Sequence, residues 1–370
     1  MAAENLVKKI HDFEQSIWLD FIDRKIMDTG DMQKLIDVDG VRGLTSNPAI
    51  FEKAISSGTD YDEDIKKLAL EGKSNEDIFY GVAVADIQRA ADLFLSVYDE
   101  EVRGADGYVS LEVSPFLARD TQGTIEQARV LWKAVDRRNV MIKIPGTAEG
   151  LAAIRQCISE GMNINVTLLF GLARYEAVAE AYISGLEDRV KAGHPIDSIA
   201  SVASFFLSRI DVLVDPMLDE KGLGDQKGEV AIALAKQSYA IYKTVFGSDR
   251  FKKLEEQGAK PQRLLWASTS SKNPAFSDVK YVEALIGPKT VNTVPMETLE
   301  AFRDHGQPDS RLESNMEGVN QLLDKLAEVG IDLDAVSQQL EDEGIEKFNK
   351  PYEKLLEAID KQKEKSLASA

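Results

Sequence analysis

The sequence predicts an α/β protein: a (β/α)8 barrel with extra N-terminal and C-terminal helices. Two observations predict it. Eight short apolar runs alternate with longer segments of helical period, and strands alternating with helices argue for parallel βα units. The chain has 370 residues, more than the ~250 such a barrel commonly needs. An open doubly wound sheet would show a Gly-rich phosphate loop after an early strand. The nearest candidate, GLGDQKG at 222–228, has the wrong spacing and no strand before it, so it reads as a surface loop.

The elements follow in order. MAAENLVKKI reads as the start of a polar helix. The first strand, 17–22 (IWLDFI), leads to a helix at 31–36. The second, 41–45, stops at Asn47-Pro48. Residues 52–80 read as an insertion before a helix at 86–99. The third strand, 109–113, stops at Ser114-Pro115 and precedes a helix at 121–136. The fourth, 140–144 (VMIKI), stops at Pro145-Gly146 and precedes a helix at 147–160. The fifth, 163–168 (NINVTL), precedes a helix at 173–191, and the sixth spans 200–204. A second insertion at 216–228 leads to a helix at 228–245. The seventh strand at 263–266, a helix at 277–285 and the eighth strand at 290–292 complete the set. The barrel core is expected over about 17–302, with a helical extension over about 309–362, all in one domain. The polar stretch 361–370 is expected to fray.

Composition narrows the function. Apolar residues make up 44% and charged residues 29%, ordinary for a soluble protein. The net charge of −19 repels polyanions, so nucleic acid is not an expected partner. No stretch reads as a membrane span or a signal peptide, and a cytoplasmic protein is expected. The single cysteine, Cys157, cannot form an intramolecular disulfide and reads as a small core residue. His11, His194 and His305 lie far apart and read as surface groups, with no metal or triad signature. The NVT sequon at Asn165 lies inside a buried strand and is discounted. The pattern is compatible with a monomer or a homodimer.

The strands are not uniformly apolar, although parallel strands buried on both faces usually are. Side chains alternate along a strand. Ser110, Glu112 and Ser114 therefore share one face, as do Asn163, Asn165 and Thr167. Lys143 shares a face with Met141, and Asp20 with Trp18. If the apolar sets face the helices, then Asp20, Glu112, Lys143, Asn165 and Thr167 point into the lumen. They sit near the C-terminal strand ends, where such barrels place their chemistry. Any one of them reads most simply as a satisfied structural group. Five on inward faces read as a site, because each buried polar group costs ~1–3 kcal/mol if unpaired.

A lysine in a partly dry pocket can attack a carbonyl to form a Schiff base. One nearby carboxylate can take a hydroxyl proton in a retro-aldol cleavage. A second carboxylate and a hydroxyl can hold the water needed for carbinolamine dehydration. This chemistry needs no metal and no cofactor. A pyridoxal-phosphate barrel would also need a lysine, and a non-catalytic binding protein would keep only the pocket.

GLTSNPAIF at 43–51, VMIKIPGT at 140–147, NINVTLLF at 163–170, SVASFFLSRID at 201–211 and LLWASTSSKNP at 264–274 resemble five transaldolase segments in family order. The resemblance runs from about 17 to 302. It implies an α/β barrel of the class I aldolase type, without cofactor, that moves a dihydroxyacetone unit between sugar phosphates. Lys143 is then the Schiff-base nucleophile, Asp20 the acid/base at the C4 hydroxyl, and Glu112 with Thr167 the holders of the catalytic water. Asn47 and Asn165 match the amides that bind the dihydroxyacetone hydroxyls, and Ser204 a substrate-contacting serine. Arg209 matches the phosphate arginine; Ser268 and Lys272 match further phosphate contacts. The chain departs from many members at Lys272, where an arginine is common, and in the Pro145-Gly146-Thr147 turn. Smaller fructose 6-phosphate aldolases of the superfamily usually carry glutamine in the slot of Glu112.

Overall fold

The computed structural model describes residues 5–100 and 105–368. Eight parallel strands close in sequence order: β1 Gln15–Asp20, β2 Leu44–Thr45, β3 Val109–Glu112, β4 Val140–Pro145, β5 Ile164–Leu169, β6 Ser201–Phe206, β7 Arg263–Ala267 and β8 Thr290–Val294. Closure is made by β1 on β8, from Gln15 opposite Thr290 to Leu19 opposite Val294. The predicted (β/α)8 barrel is therefore present, and all eight expected strands lie within a few residues of their expected bounds.

The apolar sets pack as the alternation requires. Ile17, Leu19, Leu111, Ile142, Ile144, Ile164 and Val166 are all buried. The helix Thr121–Val135 is capped by Asp120, and the helix Ala148–Glu160 by Thr147. Each cap oxygen accepts from an otherwise unpaired N–H of the first turn. Cys157 is fully buried in the second of these helices, and burial pushes its thiol up to about 12.

Several expectations change. The second strand is two residues rather than five. Gly43 runs alongside β1, its carbonyl accepting from Leu19 N at 2.9 Å, but a Cβ there would lie 2.6 Å from the Trp18 indole. The helix expected at 86–99 starts earlier, at Asn75 under a Ser74 cap, and breaks into Asn75–Leu93 and Leu95–Glu100. The 52–80 insertion is itself helical, holding most of Pro48–Ser57, Asp62–Leu70 and the start of Asn75–Leu93. The 216–228 insertion begins inside the helix Ser208–Glu220, which accommodates Pro216. The expected fraying of 361–370 is not seen as far as Ala368, because one helix spans Leu333–Ala368. Lys363 donates from this helix to the Lys73 carbonyl.

At the N-terminal end of the barrel, Asp106 accepts from Trp18 Nε1 at 2.9 Å and from the Ser16 hydroxyl, and pairs with Arg263. His194 and His305 are exposed as expected, while His11 is only partly exposed. Its Nε2 is shut from solvent without a hydrogen-bond partner. Burial lowers its pKa, with Arg42 acting the same way. Among the described residues no helix is long and apolar enough to cross a membrane.

Gly43→Ala is expected to destabilise the protein by about 1–3 kcal/mol, because a methyl would be forced against a rigid, buried indole. Urea unfolding of the variant against the parent chain measures it.

Candidate active site

A cavity of about 280 Å³ opens at the C-terminal end of the barrel, where such barrels hold their ligands. It is lined by Asp20, Asn47, Lys143, Thr167, Ser204, Arg209, Ser268 and Lys272. Eight of the ten residues singled out from the sequence thus share one wall. The other two lie directly behind it. Glu112 touches Lys143, and Asn165 touches Ser204.

Strand register builds the centre. Glu112 of β3 stands opposite Lys143 of β4, and Lys143 opposite Asn165 of β5. Three neighbouring strands therefore place a carboxylate, an amine and an amide in a row. Lys143 Nζ donates to the Ser46 carbonyl at 2.8 Å and reaches Glu112 Oε2 at 3.4 Å. Burial raises the pKa of Glu112, while Lys143 pulls it back. Asp20, at the end of β1, accepts from Thr45 Oγ1 at 2.7 Å. Its pKa is also raised by burial, against the pull of Lys143 and Thr45. Both carboxyls are thus poised to hold a proton more readily than an exposed carboxylate would.

Polar neighbours orient the rest. Asn165 donates to Ser110 Oγ at 3.1 Å and accepts from Ser204 Oγ at 2.7 Å. Asn47 caps the helix Pro48–Ser57 through its Oδ1, which accepts from Ile50 N. Thr167 Oγ1 is buried and has no partner. It precedes Leu168, whose φ is +60°, and the pairing of β5 with β6 slips between Val166 and Leu169. Bulges of this kind re-aim side chains beside active sites.

The mouth is cationic. Arg209 sits at the start of the helix Ser208–Glu220, its guanidinium 5.8 Å from the Phe206 ring and 5.9 Å from the Phe348 ring. Its Nη1 is buried without a hydrogen-bond partner, and burial lowers its pKa. Ser268, at a left-handed φ of +55°, shares a hydrogen bond of 2.8 Å with Ser208. Lys272 is exposed and donates to Ser270 Oγ. Of the Phe205-Phe206 pair, Phe206 lines the cavity while Phe205 packs edge-on against Trp266.

Sequence reasoning missed Thr45, Thr293, Glu297, Lys347, Phe348 and Pro351, which also line the cavity. Thr45 and Thr293 lie on inward faces, so the alternation that found Asp20 could have found them. The last three come from the far C-terminal helix, and no local pattern assigns that helix to this opening.

The fold and the site together define a class: a (β/α)8 barrel with one buried lysine set beside carboxylates at the C-terminal strand ends. The family model for transaldolase/fructose-6-phosphate aldolase matches residues 17–359. The chain is 48% identical to a transaldolase of Trichodesmium erythraeum, covering 98% of each chain. It is 46% identical to a transaldolase of Saccharopolyspora erythraea, over 98% of this chain and 99% of that one. A transaldolase of Thiobacillus denitrificans is 43% identical, over 96% of this chain and 99% of that one. The chain belongs to the transaldolase/fructose-6-phosphate aldolase family.

The helix that carries Arg209 is held by a buried carboxyl. Asp211 accepts from Ala231 N at 2.8 Å and from the Tyr281 hydroxyl at 2.7 Å. Burial pushes its pKa up from 3.8 to about 6. A raised carboxyl favours the fold while it is protonated, so this contribution is complete below about pH 4 and is lost as pH rises through about 6. The size is roughly 3 kcal/mol. Asp211→Asn is expected to flatten the fall of Tm across that window, read as the difference in slope between variant and parent by calorimetry.

Proposed function

We propose that the protein is a transaldolase, moving a dihydroxyacetone unit from fructose 6-phosphate or sedoheptulose 7-phosphate to an aldose phosphate through a Schiff base on Lys143. The observation that carries this reading is the buried amine beside Glu112 and a partnerless Thr167 hydroxyl, at the wall of an open cavity. The relatives named transaldolase, aligned over nearly the whole chain, support it. The carboxylate at position 112 favours it over the aldolase branch, where glutamine is usual.

The uncharged Lys143 amine adds to the ketone carbon of the donor and gives a carbinolamine. Glu112, 3.4 Å from the amine, exchanges protons with the departing hydroxyl through a water that Thr167 Oγ1 also holds. Water leaves and an iminium forms. Asp20 takes the C4 hydroxyl proton; the C3–C4 bond breaks, and its electrons pass into the iminium. The aldose leaves, and an enamine of dihydroxyacetone remains on Lys143. The enamine carbon then attacks the acceptor aldehyde while Asp20 returns the proton to the new hydroxyl. Hydrolysis by the reverse of the first steps frees the product. Asn47 and Asn165 hold the hydroxyls of the three-carbon unit, as does Ser204. Arg209, Ser268 and Lys272 hold the phosphate.

Borohydride reduction in the presence of fructose 6-phosphate is expected to fix a three-carbon adduct on Lys143, located by peptide mass mapping. An intact protein that binds the sugar phosphate yet gives no adduct would remove the reading. Arg209→Ala is expected to raise KM for phosphorylated sugars by about tenfold or more, the loss of a charge-assisted contact. Reaction with free dihydroxyacetone should change far less. Equal losses for both would make Arg209 a packing residue instead.

A further inference from the structure

The C-terminal helix does more than cover the barrel. Leu333–Ala368 crosses the C-terminal face and places Lys347, Phe348 and Pro351 in the cavity wall. It is tied down on both sides of that point. Before it, Glu341 pairs with Arg174, and Asp342 with Arg119 at 2.5 Å. After it, the Tyr352 hydroxyl donates to Glu76 at 2.6 Å. Gly344 lets the helix sit close to the barrel, since a Cβ there would lie 3.0 Å from Leu168 Cδ2. Pro351 has no N–H to offer the carbonyl four residues earlier, which is that of Lys347. The regular helical bonding is thus interrupted where the helix meets the cavity.

Three charges meet there. Lys347 Nζ pairs with Glu343 Oε2 at 3.1 Å, one turn earlier on the same face. Glu343 also acts electrostatically on Arg209, and Arg209 lies against the ring of Phe348, the residue next to Lys347. The buried Nη1 of Arg209 has no acceptor. Two cations are therefore gathered around one half-buried carboxylate beside the cavity.

We propose that Lys347 is a phosphate-binding residue, that Glu343 competes with the phosphate for Lys347 and Arg209, and that the C-terminal helix thereby sets the preference for phosphorylated sugars. The inference rests on the transaldolase reading of the cavity. On phosphate binding the Lys347 ammonium turns from Glu343 to the phosphate oxygens, with which Arg209 makes its missing hydrogen bonds. Lysine serves here as a movable point charge, and arginine as the fixed fork.

The test uses the full chain and borohydride trapping at Lys143, with the half-saturating concentration of fructose 6-phosphate compared with that of dihydroxyacetone. Lys347→Met is expected to raise the value for fructose 6-phosphate about tenfold relative to that for dihydroxyacetone. Lys347→Arg is expected to recover most of that loss, and Glu343→Gln to move the ratio the opposite way. Loss of a merely structural pair would shift Lys347→Met and Glu343→Gln in the same direction. A parental ratio in Lys347→Met, or a shared direction for the two, overturns the inference while leaving the Schiff-base chemistry standing. A parent chain that traps neither sugar on Lys143 overturns the transaldolase reading and the inference with it.

Discussion

The structure depends on one register. Because β3, β4 and β5 pair in parallel with Glu112 opposite Lys143 and Lys143 opposite Asn165, the buried amine has a carboxylate on one side and an amide on the other. Side chains on a strand alternate with period 2, so a slip of one residue would turn Lys143 into the helix layer and bring Ile142 or Ile144 into the lumen. Neither arrangement is tolerable, since an unpaired charge in an apolar layer is far costlier than a buried hydrogen-bonded one. The same row of groups that makes the chemistry possible therefore also fixes the pairing of the barrel's centre. The Ser46 carbonyl adds a neutral acceptor, at 2.8 Å and closer to Nζ than the carboxylate. That geometry keeps the amine oriented without locking it into a tight ion pair.

Much of this was legible in the sequence because period 2 is a strong signal in short strands. Alternation in NINVTL and VMIKI identified the lumen face before any long-range contact was known, and it found Lys143, Asn165 and Thr167. It could not reveal that β2 is only two residues long, or that Gly43 lies against the Trp18 indole across strands. Nor could it place His11, whose partial burial comes from packing at the opposite end of the barrel rather than from its local pattern. The role of the C-terminal helix was equally invisible. Its amphipathic pattern says only that one face is covered. Which face of the barrel covers it is settled by contacts with Arg174, Arg119 and Glu76, over 150 residues away in the chain in every case.

Strain is concentrated at one place in the sheet. Leu168 adopts a left-handed φ of +60° within β5, beside the slipped register. A non-glycine residue in that region costs of order 1–3 kcal/mol and persists only where the surroundings impose it. Here they do. Leu168 is buried, and Gly344 of the C-terminal helix packs beside its side chain. The slip interrupts the pairing of β5 with β6 around Thr167, whose hydroxyl is buried in the cavity wall with no protein partner. An unpartnered buried hydroxyl is a poor structural element and a good holder of a water molecule.

Charge then explains how an acidic protein can take an acidic ligand. With a net charge of −19, the long-range field opposes any anion, and it opposes a polyanion most. Over the short distances inside the cavity, low dielectric and poor screening let a few fixed cations outweigh that field. Arg209 is suited to the task because it is desolvated, lies against two aromatic rings and has a free Nη1. Its cost of desolvation has already been met by folding, so in the proposed function a phosphate arriving there gains a charge-assisted interaction. The two carboxylates of the centre are engaged elsewhere: Asp20 with Thr45, and Glu112 with Lys143. In the proposed function one cavity holds a phosphate at its mouth and proton-transfer groups at its wall, and a substrate must carry both a phosphate and a carbonyl, at the right separation, to engage the two ends at once.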